Sequence, residues 1–250
     1  MRNRKPHSEK IVIRNDDRVF VLTGAGISAE SGLATFRGSD GLWEGERVED
    51  VASPRGWSRD PERVWRFYSL RRKAAAVAEP NPAHFALAEL ERMLPDRYFL
   101  CTQNVDNLHE RAGSNNLVHM HGELFESCCD RCTKEAFADD RLYESKAEHV
   151  RCECGGRIRP NIVWFGEMPF HMEQIIEELH RCTIMLVIGT SGVVQPAASF
   201  VHWANERYTA GDEQVRTYYV GPEHPANSEA FTRVFEGTAG EVLPQLFEVQ

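Results

Sequence analysis

Apolar residues in this chain gather in short unbroken runs. Val19 to Thr23, Tyr98 to Thr102, Ile184 to Gly189 and Thr217 to Val220 are rich in β-branched or aromatic side chains, the pattern of strands covered on both faces. Helical stretches flank them, among them Pro82 to Met93 and Met172 to Arg181. Strands alternating with helices predict an α/β fold, a parallel sheet with helices on both faces. Two stretches break the alternation: Arg37 to Glu79, largely polar and helical with tryptophans, and Leu124 to Arg159, which holds two tight cysteine pairs. They read as excursions that form a smaller lobe. The expected division is a main lobe of residues 11–36, 81–121 and 160–250, with a helical insertion at 37–80 and a cysteine-bearing insertion at 122–159. Residues 1–10 are polar and basic and read as an arm or a short first helix.

Composition narrows the function classes. The chain has 250 residues, 42% of them hydrophobic, and a formal charge of −9. That size supports a substantial core, and the negative balance argues against sequence-independent binding of nucleic acid, which needs lysine and arginine to neutralise phosphates. No run is long enough to span a bilayer and no secretory segment is recognisable. The expectation is a soluble cytoplasmic protein with no nucleic-acid or membrane partner. Of the seven cysteines, Cys101, Cys128 and Cys182 read as buried small apolar residues.

Three groups of residues carry candidate chemistry. Gly24-Ala25-Gly26 comes after a strand and reads as a turn into a helix start, where backbone can approach a phosphate. Its next glycine, Gly32, comes too late for the dinucleotide fingerprint of hydride-transfer enzymes. Cys129-x-x-Cys132 and Cys152-x-Cys154 offer four thiolates, the donor set of a closed structural zinc site, with Cys128 a competing ligand. Gln103-Asn104-Val105-Asp106 lies after a strand, at the edge where open α/β sheets bind ligands. In His119-Met120-His121-Gly122 either histidine could serve as a base near neutral pH, and local chemistry does not choose between them.

Taken in order, several segments resemble the sirtuin family over roughly residues 19 to 243. They are Gly24 to Ser28 through Phe36-Arg37, Gln103 to Asp106 with Leu108-His109, His121-Gly122, Cys129-x-x-Cys132, Arg159-Pro160 with Trp164 to Glu167, and Gly189-Thr190-Ser191 with Gln195-Pro196-Ala197. The resemblance implies a Rossmann-like lobe binding NAD, a small lobe with one structural Zn2+, and an acyl-lysine tunnel between them. In the mechanism it implies, the acyl oxygen attacks C1′ of the nicotinamide ribose, nicotinamide leaves, and the histidine matching His121 deprotonates the ribose hydroxyls. The 2′-oxygen then attacks the imidate carbon, giving free lysine and O-acyl-ADP-ribose.

Carried over position by position, the resemblance makes His121 and Asn104 catalytic. It assigns NAD contacts to Gly24, Ala25, Gly26, Ser28, Glu30, Phe36, Arg37, Trp43, Gln103, Asn104, Val105, Asp106, Gly189, Thr190, Ser191 and Ala239. Zinc falls to Cys129, Cys132, Cys152 and Cys154. Acylated lysines of proteins would lie against Val163, Phe165, Gly166, Glu167 and Val193. Tyr68-Ser69-Leu70-Arg71 is similar to the Tyr-x-x-Arg of the family branch that removes succinyl and malonyl groups, and Ala52 matches a small residue that admits a longer acyl chain. Arg71 would pair with the distal carboxylate and Tyr68 would add a hydrogen bond. The chain departs from the family in its Cys-x-Cys second pair and at Tyr219-Val220-Gly221-Pro222, where many relatives carry asparagine. The competing functions are an NAD-using ADP-ribosyltransferase, a non-catalytic zinc-bearing module and a dehydrogenase.

Overall fold

Six parallel strands form the central sheet, in the spatial order Arg233–Glu236, Arg216–Gly221, Ile184–Ile188, Val19–Thr23, Tyr98–Thr102, Leu117–His119. The computed structural model describes residues 10–35, 42–43, 45–206 and 214–250. Numbered along the chain and read from the other edge, the sheet order is 3-2-1-4-5-6, the doubly wound arrangement whose ligand crevice opens where the winding reverses. Here the reversal falls between Val19–Thr23 and Ile184–Ile188, paired Val19 to Ile184 through Thr23 to Ile188.

The three central strands are buried along their whole length, which is why they read as continuous apolar runs. Their side chains alternate between two cores. Val19, Val21, Leu100 and Leu186 pack with Leu87 and Leu90 of the helix Pro82–Met93. Phe20, Leu22, Phe99 and Val187 pack with Ile175 and Leu179 of the helix Met172–Arg181 and with Phe200 and Val201 of Phe200–Glu206. Each such side chain contributes about 1.5–3 kcal/mol by leaving water, so the sheet is anchored on both faces. The apolar pattern does not reveal the edge strands Leu117–His119 and Arg233–Glu236, or the parallel pair Ile11–Ile13 with Phe247–Val249. All are short, and all but Ile11–Ile13 carry polar or charged positions that break the apolar run.

A third core holds the remaining elements. The helices Val48–Val51, Pro54–Arg59 and Pro61–Val77 pack on an antiparallel sheet of Gly122–Cys129, Phe137–Ala138 and Ile158–Ile162, burying Trp57, Trp65, Tyr68, Tyr143 and Trp164 together. Ser53 and Asp60 cap the second and third helices by accepting from Gly56 N and Arg63 N. Arg72, 1% exposed, ties helix to sheet by donating to the carbonyls of Leu124, Arg141 and Glu126. Asp139 stands 3.6 Å away as its counter-charge, satisfying the rule that a buried charge keeps its partners. Among the described residues no helix is long and apolar enough to cross a membrane.

Candidate active site

The carboxyl ends of the sheet strands converge on one cleft of about 460 Å³. At the winding reversal two loops meet backbone to backbone: Gly24 N donates to Ile188 O and Gly26 N to Gly189 O. A Cβ on Gly26 would stand 2.7 Å from the Gly189 Cα, and Gly189 itself has φ +62°, so glycine is required on both sides. Beyond Gly24 the expected helix start is not formed. The chain makes two short 3-10 turns instead, Ala25–Ile27 and Ala29–Ser31, and turns away at Gly32 with φ 85°. Asn81 holds this turn by donating to Ile27 O at 2.7 Å and Ser31 Oγ at 3.0 Å. A phosphate here would meet turn N–H groups without the dipole of a long helix.

Beside it lies the loop after Tyr98–Thr102. Asn104 and Asp106 are buried there, 6% and 7% exposed. Asn104 donates from Nδ2 to Ser28 Oγ at 3.2 Å, and Ser28 Oγ donates to Asp106 Oδ2 at 3.1 Å. Leu108 N donates to the other Asp106 oxygen at 3.2 Å. Burial raises the Asp106 pKa despite the opposing bonds from Leu108 and Ser28. The loop is seated from behind by Thr102 Oγ1, which accepts from Asn104 N at 3.0 Å and from Thr23 Oγ1 at 2.8 Å.

The fold distinguishes the two histidines. His121 lines the cleft, and its Nδ1 faces the Gln103 carbonyl at 3.1 Å. A carbonyl only accepts, so Nδ1 carries the proton and Nε2 keeps a lone pair. Burial lowers the His121 pKa below its usual 6.5, with the Gln103 carbonyl opposing, so the ring is a neutral base at neutral pH. His119 is spent elsewhere, between Asn104 O at 2.8 Å and Glu110 Oε1 at 2.7 Å.

On the opposite wall, Ala52, Tyr68 and Arg71 line the same cleft. Tyr68 is fully buried, and its hydroxyl oxygen accepts from Trp164 Nε1 at 3.0 Å, which leaves the hydroxyl proton for another partner. Burial pushes its pKa up to about 12, so it is a donor and never an anion. The Arg71 guanidinium stacks over the Trp43 ring at 4.1 Å. Arg159 binds Glu167 through both terminal nitrogens, at 2.6 and 2.9 Å, and Glu167 also accepts from Trp164 N at 2.8 Å.

The other sequence-derived positions fall into three groups. Ala25, Val105, Val163, Phe165, Gly166, Thr190 and Ser191 line the cleft. Glu30, Ala239 and Val193 are not among its lining residues. Glu30 instead accepts from Thr238 Oγ1 at 2.9 Å and Gly240 N at 2.7 Å, pinning the loop that contains Ala239. Phe36 and Arg37 lie outside the described residues. Sequence reasoning assigns no role to Glu223 and His224, which line the cleft beside Pro222. A polar pair after a buried strand is the signal that could have found them.

The Sγ atoms of Cys129, Cys132, Cys152 and Cys154 lie within 4.8 Å of one another, a cluster compatible with a tetrahedral zinc. Arg131 N and Gly156 N donate to Cys129 Sγ and Cys154 Sγ, both at 3.4 Å, as suits thiolates. The Cys132 backbone chiefly draws the Cys129 thiol down to about 7. Although Gly156 N favours its thiolate, Cys154 is pushed up to about 11 by the neighbouring sulfurs. Four thiolates crowd one another, and a divalent cation would replace the protons that otherwise relieve them.

A profile of the Sir2 family matches residues 24–196. A sequence named NAD-dependent protein deacylase from Shigella flexneri is 47% identical, covering 92% of this chain and 83% of the relative. Another so named, from Yersinia pestis, is 46% identical, covering 98% and 87%. Among solved structures, a Sir2 homologue mutant in complex with ADP-ribose superposes with TM-score 0.83 at 39% identity, covering 92% of this chain and 91% of the other. A Sir2 homologue–NAD complex gives 0.81 at 40% identity, covering 92% and 88%.

Proposed function

The chain belongs to the Sir2 family, and from that membership we propose that its cleft removes succinyl and malonyl groups, as well as acetyl, from protein lysines. It is an NAD-dependent protein-lysine deacylase. The observation that carries the acyl assignment is that Tyr68 and Arg71 line the same cleft as His121 and Asp106. A carboxylate-ended acyl chain laid along it meets one cation and one hydroxyl donor at the far end.

NAD, when bound, supplies the ribose carbon that accepts the acyl oxygen. The Gly24–Gly26 turn and Gly189–Ser191 bind its phosphates and ribose. Asp106, an acceptor on the buried side, holds the nicotinamide carboxamide. Asn104 and Ser28 keep that carboxylate aimed, and Asn104 orients ribose and water. His121 Nε2 takes the proton from a ribose hydroxyl. The backbone edges at Val163 to Glu167 and Gly192 to Val194 pair with the lysine-bearing peptide as an added strand. Cys129, Cys132, Cys152 and Cys154 would hold one zinc, and a set of four protein thiolates would give it a structural role. One zinc per chain by elemental analysis, lost in Cys132→Ser, checks that assignment. Reduced thiols of this kind suit a cytoplasmic setting.

The test uses one peptide bearing acetyl-lysine or succinyl-lysine, with and without NAD, read by mass spectrometry. His121→Ala is expected to abolish NAD-dependent acyl loss from both peptides. Arg71→Met is expected to lower desuccinylation about 10- to 100-fold, the cost of one charge-assisted pair, and to spare deacetylation. Equal loss on both peptides would discard the carboxylate clamp while leaving the deacylase assignment.

A further inference from the structure

Two histidines, separated by one residue on the same stretch of chain, hold the same loop by successive carbonyls. His121 Nδ1 faces Gln103 O, and His119 Nδ1 faces Asn104 O at 2.8 Å. The second nitrogen separates them. His121 presents Nε2 toward the cleft, whereas His119 Nε2 lies 2.7 Å from Glu110 Oε1 on the helix Leu108–Arg111. Both partners of His119, a carbonyl and a carboxylate, offer lone pairs and no proton. Each of its ring nitrogens must therefore bring a hydrogen, and a neutral imidazole has only one.

We infer that His119 works as an imidazolium paired with Glu110, a positioning residue that fixes the Asn104 carbonyl and through it the aim of the Asn104 amide and the Asp106 carboxylate. The inference rests on the deacylase reading for its kinetic readout and on geometry alone for its protonation state. His119 is only 6% exposed, and a cation so buried persists only with a partner. Glu110 supplies it from the helix and Glu123 stands close on the strand Gly122–Cys129, the ligand atoms of all three lying within 4.8 Å of one another. Asp106 faces the group from the loop. His109, on the Glu110 helix, is fully buried and held neutral by that burial. Burial by itself would lower the His119 pKa, but the Glu110 hydrogen bond and charge outweigh it, with the Asn104 carbonyl and Glu123 adding, so the net direction is upward.

A raised pKa fixes the sign. The pair is intact below the raised value and loses its proton as pH rises through it. The remaining hydrogen then stays with the carboxylate, the stronger of the two bonds, and the Asn104 carbonyl is left facing a lone pair. Turnover falls on the alkaline side while binding of the acyl peptide does not. In Glu110→Gln the amide N–H donates to Nε2, so a neutral His119 can keep its Nδ1 hydrogen on Asn104. That variant should lose the alkaline limb.

The experiment combines side-chain 15N NMR of the full chain with kcat and KM profiles from pH 6 to 10. Wild type is expected to show both His119 nitrogens protonated at pH 7, and kcat falling at alkaline pH with peptide KM unchanged. Glu110→Gln should show a neutral His119 and a flat alkaline kcat, and His119→Phe a flat kcat about tenfold below the wild-type neutral value, the loss of one charge-assisted hydrogen bond. A neutral or metal-bound imidazole in wild type at pH 7 overturns the inference. So does an alkaline limb that Glu110→Gln leaves in place. Should Glu110→Gln fail to fold, the wild-type NMR decides the protonation state, and loss of all deacylation in wild type would instead overturn the underlying functional reading.

Discussion

The two ends of the cleft are built by different means. At the proposed NAD end, the aimed groups are held by backbone or by the Ser28 hydroxyl: Gly26 N on Gly189 O, Asn104 on Ser28, Ser28 on Asp106, His121 on Gln103 O. At the proposed acyl end, the groups are set by aromatic packing in the third core, with Trp164 on Tyr68 and Trp43 under Arg71. Bond making and breaking needs a geometry fixed to fractions of an ångström, which strand ends of a doubly buried sheet supply. Acyl recognition tolerates a softer frame that substitutions can retune. Damage at the first end should cost all substrates alike, and damage at the second should sort them.

The largest effect separating the ends is expected from Gly26→Ala. The added Cβ meets backbone at 2.7 Å on the Gly189 side, and backbone cannot yield as a flexible side chain would. The loops at the winding reversal must part, and a misplacement approaching 1 Å lowers kcat/KM for NAD by about 10²-fold. Initial rates on acetyl and succinyl peptides at varied NAD should fall in the same ratio. A loss confined to one peptide would show that the ends are not independent.

Tyr68→Phe sharpens the same contrast with a smaller effect. It removes the hydroxyl proposed to donate to the acyl carboxylate and leaves Trp164 Nε1 without its acceptor, while filling nearly the same volume. Desuccinylation should drop about tenfold, one hydrogen bond to a charged group. Deacetylation should stay within about twofold, with a melting temperature a few degrees lower from the orphaned indole N–H. Equal losses on both peptides would mean that Tyr68 acts on the frame and not on the substrate.

The same physics decides which features are legible in the sequence. Val19–Thr23, Tyr98–Thr102 and Ile184–Ile188 are buried on both faces, so their runs stand out, whereas Leu117–His119 at the sheet edge carries no such run. The glycine turn is legible because only glycine permits that approach. Its continuation as 3-10 turns is not, since Asn81, some fifty residues on, decides it. Spacing alone leaves the partner of Cys132 open, and the fold brings Cys152 Sγ to 3.7 Å. His119 and His121 are equivalent in a one-dimensional reading because what separates them, a carboxylate against a cleft, is set by a helix nine residues upstream of His119. The bonds from Thr238 and Gly240 to Glu30 cross more than two hundred residues of chain, and nothing local in the sequence signals them.

The smallest effect concerns pH, and it too distinguishes the ends. As the proposed base, His121 must be neutral to take a proton, and burial holds its pKa below the ordinary 6.5. The base is therefore competent throughout neutral pH, and on the acid side activity falls as pH drops through that lowered value. Tyr68, at about 12, does not change charge in this range. The acid limb of kcat should then have the same midpoint, below 6.5, for acetyl and succinyl peptides, and the ratio of the two rates should stay flat from pH 6 to 8. Rate profiles on both peptides measure this directly. A ratio that drifts across that window would place a titrating group at the proposed acyl end.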